Sequence, residues 1–206
     1  LMTREERDAM TPREIINMMR AGNDRFRRGT PLNRDFLHEQ AASVGAQYSA
    51  AILLTCIDSR APAEIIMDLG IGQVLNARLA GNVVVPEVLG SVEFACSIAG
   101  AKVILVMGHT GCSAVTSAVA GVTMGHFSSL LGRISPAIQA TPFDGHRSAD
   151  NPDFVNAVSR TNVAITMESI RRESPLLRAL IDRGRVELAG AMYDLASAKI
   201  DFFDPS

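Results

Sequence analysis

Two unbroken apolar runs constrain this chain more than any other feature: SAAILLTCID (49–58) and AKVILVMGH (101–109), each of strand length and each closing on a soft ligand side chain, Cys56 or His109. Apolar residues without alternation indicate strands buried on both faces, the pattern of a largely parallel sheet covered by helices. The segments around them fit that architecture. GQVLNARLAGN reads as a weaker strand, and Pro86 to Gly100, with its proline start, glycine stop and apolar residues all round, as a buried helix. GCSAVTSAVAG reads as a short helix, 155–172 and 175–183 as two more, and RVELAGAMYDLASAKIDFF as two strands joined by a turn. Ahead of the first run, TPREIINMMRAGNDRFRRG carries Thr11 as a cap with Pro12 and Glu14 behind it and apolar residues at helical intervals. Residues 124–154, punctuated by proline and glycine, are the least regular stretch. Strands alternating with helices predict a single α/β domain over 1–206, a helical arm (1–45) followed by an α/β core (46–206).

Charge excludes some function classes. Twenty basic residues against 22 acidic ones leave a formal charge of −2, so a nucleic-acid partner is not expected. Seven arginines among the first 28 residues are interleaved with five acids, the mixture of a solvated helix face. An apolar span of about 18 residues, the length a membrane helix needs, does not occur, and LMTREERDAM lacks the apolar core of a secretory signal. The expectation is a soluble, cytoplasmic protein. Leu1 ahead of Met2 leaves room for a periplasmic protein or for excision from a larger membrane protein.

Ligand sites of parallel sheets lie beyond the carboxyl ends of the strands. Cys56 and His109 stand at two such ends, and Cys112 follows three residues after His109, where the next helix should begin. Two thiols and an imidazole form a zinc ligand set with one position left to fill. A helix amino terminus also favours a thiolate at Cys112. Three cysteines do not make a disulfide framework, and Cys96, inside an apolar helix, reads as core. His38, His126 and His146 fall in polar or loop-like surroundings and read as surface residues.

CIDSRAPAE, RLAGN and GHTGC, in that order, resemble the sequence set of the β-class carbonic anhydrases; AGNDRFRRG and AGAMYDLAS are similar to that family's amino-terminal helix and late strand. The resemblance implies a zinc enzyme interconverting carbon dioxide and bicarbonate, with Cys56, His109 and Cys112 as ligands and Asp58 and Arg60 as the catalytic pair. It implies Gln47 and Gly81 near substrate, and a homo-oligomer, dimer or tetramer, joined through sheets and amino-terminal helices. The apolar face of the first helix is expected to need covering by that partner.

Zinc lowers the pKa of a bound water to about 7 in the three-histidine carbonic anhydrase site, which is where that figure comes from. Two thiolates neutralise the ion, so a less acidic water and activity favoured at higher pH are expected here. Asp58 has two roles open to it: fourth ligand, closing the site, or partner of Arg60, leaving the position to water. Family members that close on bicarbonate have a tryptophan, an arginine and a tyrosine around an inhibitory pocket. Arg78 and Tyr193 fit the last two, but Leu53 stands in the tryptophan's place, which favours the open form. Ser113 and Leu79 replace a usual glycine and asparagine, so hydrolysis of carbon disulfide or carbonyl sulfide on the same site is an alternative, as is a non-catalytic zinc module. A Rossmann-like nucleotide site is disfavoured, because GIGQVLNARLAGN lacks the strand, glycine loop and helix order.

Overall fold

The computed structural model describes residues 2–203. Five strands form one sheet in the order β2-β1-β3-β4-β5: β1 (Ala51–Thr55), β2 (Val74–Arg78), β3 (Val103–His109), β4 (Glu187–Tyr193) and β5 (Ile200–Phe202). The first four run parallel and β5 pairs antiparallel with β4. β1 and β3 are buried along their whole length, as their unbroken apolar sequences require.

Alternate residues of each strand enter different cores. Leu53, Leu105, Met107, Ala191 and Tyr193 face Ile15, Ile16 and Met19 of α2 (Pro12–Arg28) and Ile66 of α4 (Ala63–Ile66). Ile52, Leu54, Ile104 and Val106 face α5 (Pro86–Ser97), α9 (Pro152–Glu173) and α10 (Pro175–Asp182). Each fully buried Leu or Ile contributes about 1.5–3 kcal/mol, so the two faces together dominate the stability of the sheet. A third core, over the carboxyl ends of the strands, joins Cys56 and Cys112 to α6 (Ser113–Val119), α7 (Gly125–Gly132), α8 (Ser135–Ala140) and the start of α9.

α2 starts at the Thr11/Glu14 capping box and stops at Gly29 in the left-handed region (φ 67°). A second box, Thr3 with Glu6, opens a helix that the sequence pattern does not predict, α1 (Arg4–Ala9). α3 (Phe36–Ser43), capped by Asp35, is unpredicted as well, and its lack of buried residues explains why no apolar period marks it. The irregular stretch 124–154 holds the short helices α7 and α8.

Three further expectations are corrected. α5 buries one stripe, Leu89, Val92, Ala95 and Cys96, while Phe94 on its outer side is 51% exposed. The apolar face of α2 is covered by its own chain, so it does not call for a partner. Two of the early arginines do more than face solvent: Arg7 is buried and donates to the Ala99 carbonyl, and the half-buried Arg25 pairs with Asp68 at 2.6 Å. Among the described residues no helix is long and apolar enough to cross a membrane.

Candidate metal centre

β1 and β3 are neighbours, with Thr55 opposite Met107, and the chain leaves them in opposite directions along the sheet. This is the switch point at which open parallel sheets place their sites. Cys56 follows β1 directly, and His109 is the last residue of β3. Gly111, in the left-handed region (φ 61°), turns the chain back so that Cys112 caps α6 beside them.

The ligand atoms of Cys56, His109 and Cys112 lie within 4.8 Å of one another, and all three residues are buried. The two sulfurs are 3.9 Å apart. Tetrahedral zinc with Zn–S bonds of about 2.3 Å would hold two sulfurs about 3.8 Å apart. His109 Nδ1 lies 2.9 Å from the Thr110 carbonyl, which takes up its proton and leaves Nε2 as the free lone pair. That Nε2 is buried and has no hydrogen-bond partner among the described residues. An orphaned imidazole nitrogen aimed at two thiols at this spacing fits zinc.

The thiols are not equivalent. The hydrogen bond from Cys112 lowers the pKa of Cys56 against the opposing effect of burial, and contacts with His109 and the Gly81 N–H reinforce it. Cys112 is raised, by the adjacent Cys56 sulfur and by burial. Without a metal, the neighbouring Cys56 sulfur and burial therefore work against the thiolate that the amino terminus of α6 favours at Cys112. Burial pushes the His109 imidazolium down, but the Cys56 sulfur and the Thr110 carbonyl raise it on balance.

Asp58 stands beside the cluster with Oδ2 3.9 Å from His109 Nε2. Arg60 grips both of its oxygens, Nε to Oδ1 at 3.0 Å and Nη2 to Oδ2 at 2.8 Å, and the Arg60 N–H adds a third bond at 2.9 Å. These contacts outweigh burial and hold the Asp58 carboxyl down to about 2. Arg60 Nη2 also donates to the Gly111 carbonyl at 3.2 Å.

The other expected site residues divide. Gly81, buried in the 3₁₀ turn Ala80–Asn82 (φ 70°), points its N–H at Cys56 Sγ, 3.4 Å away. Arg78 donates to the carbonyls of Cys56 (2.9 Å) and Asp58 (2.6 Å) and so braces the segment that carries both. Tyr193 is buried at the end of β4, two strands beyond β1, and Leu53 is fully buried. Gln47 is exposed and precedes β1, at the end of the strand opposite Cys56, so one chain does not bring it to the cluster. His38, His126 and His146 are all exposed.

Sequence reasoning missed two residues that touch the site's loops. Asn156 accepts the Gly111 N–H at 2.9 Å, and Asn162 donates to the Gly81 carbonyl at 2.8 Å. Their signal was a polar stripe, Asn156, Ser159, Asn162 and Thr166, at the spacing of the inward face of α9.

A sequence model of the family described as carbonic anhydrase matches residues 51–200. Carbonic anhydrase 2 of Mycobacterium tuberculosis is 31% identical over 183 residues, covering 86% of this chain and 86% of its own. The carbonic anhydrase of Pseudomonas aeruginosa is 30% identical over 199 residues, covering 93% of this chain and 87% of its own. Among solved structures, a tetrameric β-carbonic anhydrase of Sordaria macrospora superposes with a TM-score of 0.71 at 21% identity, over 82% of this chain and 87% of that one.

Proposed function

The chain belongs to the β-class carbonic anhydrases, a family of carbonate dehydratases, and from that premise we propose that it hydrates carbon dioxide reversibly to bicarbonate and a proton at Cys56, His109 and Cys112. The observation that carries the reading is the convergence of those three donors beside a carboxylate already tied off by Arg60.

Cys56, His109 and Cys112 would hold zinc, which supplies a Lewis acid that makes a water nucleophilic near neutral pH. Each remaining group has a task of its own. The Thr110 carbonyl keeps His109 in the tautomer with Nε2 free. Arg60 keeps Asp58 ionised and engages both of its oxygens, so the carboxylate is held by the arginine rather than offered as a further ligand. Asp58 then accepts a hydrogen bond from the attacking water and aims its lone pair at carbon. Arg78 holds the backbone of Cys56 and Asp58 in place. With its guanidinium so engaged and Leu53 filling the neighbouring core, a bicarbonate pocket at Arg78 and Tyr193 has little support.

Gly81 contributes its N–H to Cys56, and its missing side chain leaves room for Ile134. Gln47 serves the site of a second copy rather than its own, a role that requires a homo-oligomer, dimer or tetramer. The exposed Phe36, Leu37 and Val44 just ahead of it, and the tetrameric relative, support such an assembly.

Stopped-flow hydration on protein of measured zinc content tests the reading. Asp58→Ala should keep zinc and lose about 10²–10⁴ of the rate, the range for a positioned proton-handling group. If the variant loses zinc and the parent shows no turnover, Asp58 is a structural ligand and the site is a non-catalytic module. Turnover of carbon disulfide in place of carbon dioxide would instead move the substrate assignment.

A further inference from the structure

The buried face of α9 is polar where it meets the site, and the two asparagines on it each take hold of a different loop. Asn162, 1% exposed, donates through Nδ2 to the Gly81 carbonyl at 2.8 Å; the N–H of the same glycine faces Cys56 Sγ at 3.4 Å. Asn156 accepts the Gly111 N–H at 2.9 Å, while the Gly111 carbonyl receives Arg60 Nη2 at 3.2 Å. Each asparagine thus holds one backbone group of a glycine whose other backbone group is turned to the site: the Gly81 N–H to a sulfur, the Gly111 carbonyl to the arginine that holds Asp58.

Close packing makes this reach achievable. A Cβ on Gly108 of β3 would come within 2.8 Å of Val163 Cγ2 and 2.9 Å of Met192 Sδ, so the glycine lets α9 lie directly against the strand that carries His109. Nor is Gly81 free to adopt another pose. It sits in the left-handed region, where a Cβ would meet Ile134 Cδ1 at 2.8 Å. Stability alone does not explain the choice of asparagine at 162. Its Oδ1 is buried without a partner among the described residues, a cost that an apolar side chain of similar size would avoid. What only the amide does is anchor the Gly81 carbonyl and so the glycine whose N–H is aimed at sulfur, and a hydrogen bond to a ligating thiolate tunes its donation to the metal.

We propose that Asn162 and Asn156 of α9 are positioning residues for the metal centre, Asn162 acting on Cys56 through Gly81 and Asn156 acting on Arg60 and Asp58 through Gly111. The inference rests on the zinc reading. Cobalt-substituted protein gives a thiolate-to-metal charge-transfer band that reports the electron density on sulfur directly, and competition with a chromophoric chelator gives zinc affinity. Asn162→Leu is expected to shift that band and to weaken zinc binding by about 10–100-fold, the usual cost of losing such a partner. Asn156→Leu is expected to leave band and affinity unchanged and to lower kcat with KM held. Should Asn162→Leu not fold, Asn162→Ser, too short to reach Gly81, carries the same expectation. A folded Asn162 variant with the parent's band and zinc affinity overturns the assignment, as does an Asn156→Leu enzyme with parental kcat. A parent protein that takes up neither cobalt nor zinc refutes the zinc reading itself, so the two failures are told apart.

Discussion

Cys56 and Cys96 are both buried, at 4% and 8% exposure, yet they are opposite kinds of thiol. Cys96 lies on the inner stripe of α5 among Leu89, Val92 and Ala95, and burial alone pushes it up to about 12. Cys56 stands at a strand end where Cys112, His109 and the Gly81 N–H all favour its ionised form, and it falls below the ordinary range. Burial therefore does not make a thiol inert. The polar groups that a fold sets around it decide whether it packs or binds.

The sharpest way to break this contrast is to replace each sulfur in turn. Cys56→Ser should abolish stoichiometric zinc and lower hydration by more than about 10³-fold, since one of three ligands is lost. Cys96→Ala should keep zinc and rate and cost about 1–2 kcal/mol in a denaturant titration, the size of a small core truncation. A zinc-replete, active Cys56→Ser protein would remove the distinction.

Alkylation sharpens the same comparison without mutation. At pH 7 a thiol with a pKa of about 12 is thiolate to roughly one part in 10⁵, whereas the groups around Cys56 shift it toward the thiolate. In chelator-treated protein at that pH, Cys56 should be modified at least about 100-fold faster than Cys96 by mass-spectrometric mapping. Zinc should protect Cys56, and Cys96 should react only as the chain unfolds.

The smallest expected effect concerns the neighbour of the reactive thiol. Asp58 titrates at about 2 instead of 3.8, so its pairing with Arg60 contributes stability that is complete above about pH 4 and disappears as pH falls through 2. Because Arg60 is exposed, solvent screening keeps that contribution small. The stability gap between the parent and Asp58→Asn, followed by denaturant titration, should stay flat from pH 8 to 5 and close near pH 2.

Much of the fold was readable in the residues because strong local signals agreed with burial. The runs ending in Cys56 and His109 are strands buried on both faces, and α2 begins at Thr11 where the capping box announces it. α3 was hidden because it buries nothing, and α1 because six residues carry too short a period to register. Asn156 and Asn162 were overlooked for a related cause: a polar stripe on an amphipathic helix reads as solvent-facing until the partner surface is known.

From the sequence alone follow the strands, the longer helices, the resemblance to the family, and the three side chains that could hold a metal ion, because motifs and strand ends are local properties of the chain. Tertiary structure alone decided that the two thiols lie side by side, that Arg60 engages both oxygens of Asp58, and that the Gly81 N–H faces Cys56. Those outcomes depend on distances of 3–4 Å between residues up to 56 positions apart, and at that range hydrogen bonds and charges are set by how strands and helices pack, which no local pattern encodes.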